Sequence, residues 1–164
     1  MRSMNNANTR TEVVSPSPLS HAAVFLATGA GVGFLPWMPG TLGSLLGLPL
    51  AWAVGSLSSF WEQAFVIVAL LALGIPICSV ATTALNRGKD PGSIIWDEIV
   101  CIPVVFLGHP MTITTALLGF LLFRLFDSTK FWPSGSAEKL PDGWGIMADD
   151  LVAGAYSNLA LLAV

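Results

Sequence analysis

Charge is what this sequence has least of. Only 10% of its 164 residues are Asp, Glu, Lys or Arg, while 54% are hydrophobic. The seven basic residues form no clustered face of the kind needed to track phosphates along a nucleic acid, so that class of partner is excluded. Cysteine is nearly absent. Cys78 and Cys101 lie far apart in apolar sequence, without a CxxC or Cys/His spacing. That excludes a disulfide framework and a zinc site, and both read as small buried hydrophobes. There is no Walker lysine, internal repeat, low-complexity core or heptad pattern. What remains is a strongly apolar chain of mean hydropathy +0.73, and the class it points to is a membrane protein.

Residues 1–20 are rich in Asn, Thr, Ser and Pro, and Pro16 and Pro18 oppose regular structure, so they read as a disordered tail. Polar positions precede any apolar core, which is not the pattern of a signal peptide and keeps the N-terminus in the cytosol. Residues 21–164 read as one domain. The Pro- and Gly-rich stretch from Leu35 to Ser44 spells a loop that opens a helix, with Thr41 or Ser44 as cap. Its free amides would suit an anion, or it is simply a helix start. Helices are expected over 41–60 and 64–85. The second carries no charge and is long enough to cross a hydrocarbon core of ~30 Å, the alternative being a buried core helix. Pro76 inside it predicts a kink or break. A loop over 86–92, containing Arg87 and Lys89, delivers the chain to a helix carrying Asp97 and Glu98. A further helix is expected from Met111 to about Phe131, with His109 as a turn residue before Pro110. Residues 134–144 read as a polar loop, and Asp149 or Asp150 caps the last apolar helix. The expected fold is all-α, a bundle of five or six mostly apolar helices, membrane-embedded or membrane-associated.

The acidic residues are gathered. Of ten, five (Asp97, Glu98, Asp127, Asp149 and Asp150) fall in three places within or opening apolar segments. A carboxylate in such surroundings loses hydration and takes up a proton unless a cation or hydrogen-bond donors hold it ionised. Helix caps and i,i+3 ion pairs are the plain alternatives, the latter for Arg124, Asp127 and Lys130, which are spaced to share one helix face. Carboxylates without histidine or cysteine partners select a hard cation, Mg²⁺ or Mn²⁺. A hard cation beside Arg124 and Lys130 is a setting for phosphate chemistry, with a phospholipid as the natural substrate of a membrane protein.

Four stretches, taken in order, resemble the motif series of the phosphatidylglycerophosphatase A family. They are Pro39-Gly40-Thr41-Leu42-Gly43-Ser44; Asp90-Pro91-Gly92 with Trp96-Asp97-Glu98; Phe123-Arg124-Leu125-Phe126-Asp127 with Lys130; and Gly145-Ile146-Met147-Ala148-Asp149-Asp150 with Ala153-Gly154. The resemblance runs from about Phe25 to the C-terminus. It departs at Phe131, where a proline usually follows the lysine, at Cys101, usually glycine, and at Trp144, which interrupts a Gly-Gly pair. The resemblance implies a Mg²⁺-dependent phosphoric monoester hydrolase that converts phosphatidylglycerophosphate to phosphatidylglycerol and phosphate. It also implies the bacterial inner membrane as location, with the active site facing the cytoplasm. On this likeness Asp97, Glu98, Asp127, Asp149 and Asp150 hold metal. Arg124 and Lys130 neutralise phosphate, with Thr41, Ser44 and Lys89 as further substrate contacts. An aspartyl-phosphate intermediate and a metal-activated water both fit this inventory. The rival is a transporter or channel subunit whose intramembrane carboxylates relay protons or bind a cation, spaced across the bilayer.

Overall fold

In the computed structural model, residues 17–88, 91–137, 140–141 and 143–163 are described, and every regular element among them is helical. Helix α1 (Pro18–Ala27) begins before the expected end of the tail at residue 20. The proline that argued against structure sits in the first turn, where its missing N–H is no loss, and the Ser17 hydroxyl caps by accepting from the Ser20 N–H at 3.2 Å. A 3₁₀ turn (Val32–Phe34) leads to α2 (Pro39–Gly55). Helix α3 (Phe60–Leu85) starts four residues before its expected beginning. A reciprocal capping box between Ser59 and Glu62 nucleates it there. It continues through Pro76 as one helix of 26 residues, and among the described residues it alone is long and apolar enough to cross a membrane.

Helix α4 (Trp96–Phe106) is the short central rod. It buries Asp97, Val100, Cys101, Ile102, Pro103, Val105 and Phe106, so its core residues lie on more than one side. Helix α2 packs along one flank through glycines. A Cβ on Gly43 would stand 3.1 Å from the Ile95 carbonyl, and one on Gly47 would stand 2.7 Å from the Ile99 carbonyl. Helix α7 (Gly143–Leu161) covers another flank, where Gly154 lies against the Cys101 carbonyl. Asn158 of α7 donates to the carbonyls of Val105 and Leu107 at 3.0 and 2.9 Å, satisfying acceptors that the end of α4 leaves open. His109 sits in the turn that follows, its N–H bonded to the Phe106 carbonyl.

Helix α5 (Ile113–Thr129) is shorter at both ends than expected, because the Thr112 side chain caps its start and Lys130, at φ 45°, ends it in the left-handed region. Residues 134–137, expected as loop, form the single turn α6 (Ser134–Ala137), closed by bonds back to the Pro133 carbonyl. Helix α7 begins at Gly143, well before Asp149. Gly143 approaches α3 so closely that a Cβ there would collide with the Ile75 carbonyl, and its N–H donates to the Ser79 hydroxyl at 2.9 Å. Neither Asp149 nor Asp150 is therefore a cap, since both lie inside the helix. Among the described residues the bundle thus has five longer helices, α2, α3, α4, α5 and α7, with α1 and α6 as shorter additions. The starts of α2, α4 and α7 and the end of α5 meet at one end.

Candidate active site

That shared end holds a cavity of about 390 Å³. Asp97 and Glu98 enter it from the first turn of α4, Arg124, Asp127 and Ser128 from the last turns of α5, Lys130 from the residue after it, and Asp149 and Asp150 from α7. Met38, Pro39 and Gly40 at the head of α2 complete the wall with Gly92 and Ile94. The three acidic segments, spread over some fifty residues of sequence, are thus brought together by the antiparallel path of α4, α5 and α7.

Within the cavity the five carboxylates divide. Asp97, Glu98 and Asp150 each direct an oxygen to a common point, the three atoms lying within 4.8 Å of one another. Asp97 is 7% exposed and Asp150 3%, and Asp97 Oδ1, Glu98 Oε2 and Asp150 Oδ2 are buried without a hydrogen-bond partner. Asp127 and Asp149 instead face cations. Arg124 Nη1 lies 2.6 Å from Asp127 Oδ2, and Lys130 Nζ lies 3.4 Å from Asp149 Oδ2. Lys130 does not continue the helical stripe of Arg124 and Asp127, because the backbone turns at its own φ of 45° and sends it across to α7.

Burial pushes the carboxyls of the first set upward. Glu98 rises to about 7, chiefly through desolvation, with a hydrogen bond from Asp97 pulling against that and the charge of Asp127 adding to it. Asp97 and Asp150 move in the same direction for the same first reason, each also facing Glu98. Three close carboxylates with orphaned oxygens need a positive charge to be ionised together. An all-oxygen donor set of this kind fits a hard divalent cation such as Mg²⁺ or Mn²⁺.

The head of α2 differs from the expected anion cradle. Its cap is Met38, at φ 46°, with no side-chain bond; Pro39 has no N–H, and the amides of Thr41 and Leu42 return to the Met38 carbonyl. Neither Thr41 nor Ser44 caps the helix. Ser44 is fully buried, donates to the Gly40 carbonyl at 2.9 Å and touches Arg124 Nη1 at 3.5 Å, so it stands behind the arginine, outside the cavity wall. The Thr41 hydroxyl is buried without a partner. Lys89 lies outside the described residues. Met38 and Ser128 were missed, the first because an apolar residue carries no chemical signal and the second because its neighbours Arg124 and Asp127 drew the reading. Gly40 has a tighter role than a turn glycine: a Cβ there would collide with Glu98 Oε1 and stand 3.3 Å from Arg124 Nη1. The absence of that methyl group lets both side chains reach the cavity.

The sequence profile described as Phosphatidylglycerophosphatase A matches residues 25–164. The chain belongs to the phosphatidylglycerophosphatase A family. It is 39% identical over 143 residues to Phosphatidylglycerophosphatase A of Haemophilus influenzae, covering 85% of this chain and 86% of the relative. The Escherichia coli protein of the same name is 34% identical over 135 residues, or 80% and 77% of the two chains. A Bacteroides thetaiotaomicron protein named "Putative phosphatidylinositol-3-phosphatase" is 33% identical over 149 residues, or 87% and 92%. No solved structure matches. Family membership makes the chain a phosphatase and sets aside the transporter reading. The geometry agrees, since the carboxylates are collected at one end of the bundle, whereas a relay would string them along its length.

Proposed function

We propose that this phosphatase removes the terminal phosphate of phosphatidylglycerophosphate, yielding phosphatidylglycerol and inorganic phosphate, with Mg²⁺ held by Asp97, Glu98 and Asp150. One observation carries the reading: three buried carboxylate oxygens without partners converge beside two basic side chains in a single cavity. A hard divalent ion there would supply positive charge to phosphate oxygens and activate the attacking group. The chain's own residues supply the rest. Arg124, aligned by Ser44, and Lys130 offer N–H donors to phosphate oxygens, and these gain strength as charge develops in the transition state. Asp127 and Asp149 hold those two side chains in the cavity until the ester arrives. The shape of the cavity, deep in carboxylates and open at the level of Met38 and Lys130, suits a small phosphate group on a head group that remains outside.

The membrane belongs to the same proposal. Trp37, Trp132 and Trp144 are exposed beside the site end, while Trp52 and Trp61 are exposed toward the opposite end, where Phe60 meets Gly108. Tryptophans at two levels around an apolar body suit the two interfaces of a bilayer, with α3 crossing it. The site then lies at the level of lipid head groups, on the cytoplasmic face of a bacterial inner membrane. The test is phosphate release from phosphatidylglycerophosphate in detergent micelles, with Mg²⁺ and with chelator. Release is expected only with Mg²⁺, and equal release in chelator would overturn the metal assignment. Failure on this lipid with turnover of phosphatidylinositol 3-phosphate would overturn the head-group assignment and leave the chemistry standing.

A further inference from the structure

Lys130 stands in a turn, past the last residue of α5. It closes that helix at φ 45°, donating its N–H to the Phe126 carbonyl at 3.1 Å, and the chain then passes through Phe131, Trp132 and Pro133 before α6. Its ammonium group hangs on a flexible four-carbon stem. Where that group can reach is therefore set by how firmly the turn beneath it is held, and the holds come from α7. The Tyr156 hydroxyl donates to the Trp132 carbonyl at 2.8 Å, and the Ser134 hydroxyl donates to the Asp149 carbonyl at 3.3 Å. Among the described residues no backbone N–H reaches the Trp132 carbonyl. The Phe126 ring lies 5.9 Å from the ring of Phe131 and 5.6 Å from that of Tyr156, so aromatic contacts tie the end of α5, the turn and α7 together. Asp149 and Tyr156 are two helical turns apart on α7 and share a face. That face carries both the acidic partner of the lysine and the anchor of its turn.

We infer that Tyr156 is a positioning residue for the hydrolysis: by holding the Trp132 carbonyl it fixes where the Lys130 ammonium stands relative to the carboxylates of α7. This rests on the reading of Lys130 as a phosphate contact and extends it to a residue that does not line the cavity. Tyr156 acts through the backbone, on an oxygen two residues past the lysine. Loss of that bond frees the turn and removes no charge from the site. A misplacement of ~1 Å can cost a reaction about a hundredfold in rate. Because the lysine contact strengthens as charge develops in the transition state, the loss falls on kcat more than on KM. The ring is a separate matter. Its contact with Phe126 survives in Tyr156→Phe, so that variant isolates the hydroxyl.

The experiment is a double-mutant cycle in phosphate release. The full chain in detergent micelles with Mg²⁺ is assayed on phosphatidylglycerophosphate, or on phosphatidylinositol 3-phosphate should wild type turn over only that lipid. Wild type, Tyr156→Phe, Lys130→Ala and the double variant are compared, with a melting curve for each. Tyr156→Phe is expected to lower kcat by about tenfold with KM near that of wild type. Lys130→Ala is expected to lose about a hundredfold or more. Adding Tyr156→Phe to Lys130→Ala is expected to change turnover no further, because the group it positions is already gone. Equal losses in both backgrounds, whatever the melting curves show, make Tyr156 a structural residue and overturn the inference. Wild-type turnover in Tyr156→Phe does the same and leaves the reading of Lys130 intact. A Lys130→Ala protein that keeps its turnover, or a wild type that acts on neither lipid, overturns the reading of the site and this inference with it.

Discussion

At the scale of single residues, a buried carboxylate without a counter-charge is a burden on the folded protein. Asp97 is held in place by α4, surrounded by Glu98 and Asp150, and nearly closed to water. Replacing it with asparagine removes one charge from that repulsion and keeps the shape. Asp97→Asn is therefore expected to abolish Mg²⁺-dependent phosphate release while the melting temperature in chelator stays level or rises. A cap or structural ion pair would give the opposite pair of results, with stability lost and turnover kept. The pH dependence of the metal-free protein has a definite sign. Glu98 binds its proton up to about pH 7 in the folded protein but only to about 4.5 when unfolded. Between those values the folded state holds a proton that the unfolded chain has released, so stability falls as pH rises through that window and levels off above it. Asp97 and Asp150 push the same way, against the opposing pull of Arg124 on Glu98. Melting curves in chelator at pH 5 and pH 8 check it, and a higher midpoint at pH 8 would contradict it.

At the scale of elements, the α2–α4 seam decides whether Glu98 can face Arg124 at all. Gly40, Gly43 and Gly47 recur at three- and four-residue spacing on one face of α2 and bring its backbone against Ile95, Ile99 and Ile102. Gly47→Ala places a methyl group 2.7 Å from the Ile99 carbonyl oxygen, a backbone atom that cannot rotate away. Overpacking of this kind costs about 1–3 kcal/mol, more than the ~1 kcal/mol that alanine gains over glycine in a helix. Gly55→Ala, with nothing within 4 Å of the new methyl, is expected to leave the melting temperature level or raised. Much of this level was legible in the sequence. The long helices, the turn at His109 and the gathering of acids followed from apolar runs, turn residues and the rarity of charge. The helix starts were not. Pro18 reads as a breaker in sequence but stands in the first turn of a helix, and the Ser59–Glu62 box lies ahead of the uncharged run whose length signals α3. Asp149 and Asp150 looked like caps because the glycines before them suggested a loop. Only the packing of Gly143 against Ile75 and Ser79, a contact between distant parts of the chain, carries the helix back past them. The division of the five acids into a converging three and two ion pairs also lay beyond sequence, since it depends on which way adjacent side chains point once three helices meet.

At the scale of the whole molecule, the apolar residues that the core does not use remain outside. Phe65, Val68 and Leu73 of α3, Leu117, Leu121 and Leu125 of α5, and Leu45 and Leu46 of α2 are all exposed. A surface of this kind marks a site of contact with another apolar phase, and on the proposed reading that phase is a bilayer. The protein is expected to fractionate with membranes and to need detergent for a monodisperse preparation, and recovery as a soluble monomer would contradict the placement of α3 across a bilayer. Brominated lipids give a finer check. Bromine near the head groups should quench the emission of Trp37, Trp132 and Trp144, read in variants that retain only one of them, more than bromine at mid-chain does.

The left-handed backbone at Lys130 has a consequence for anyone who selects variants of this protein by heat resistance. A position at φ 45° that closes a helix is one where glycine is at ease and a long side chain is not, by about 1 kcal/mol. Lysine is therefore a locally unfavourable occupant, and on the proposed reading its worth lies in what its ammonium group does for the ester. A library ranked on melting temperature would drift toward Lys130→Gly, and its winners would be hardy and inert. The expected reading is a midpoint level with or above wild type and a kcat/KM lower by about two orders of magnitude or more. A glycine variant that melted several degrees lower and kept its turnover would make Lys130 a prop for Asp149 and nothing else.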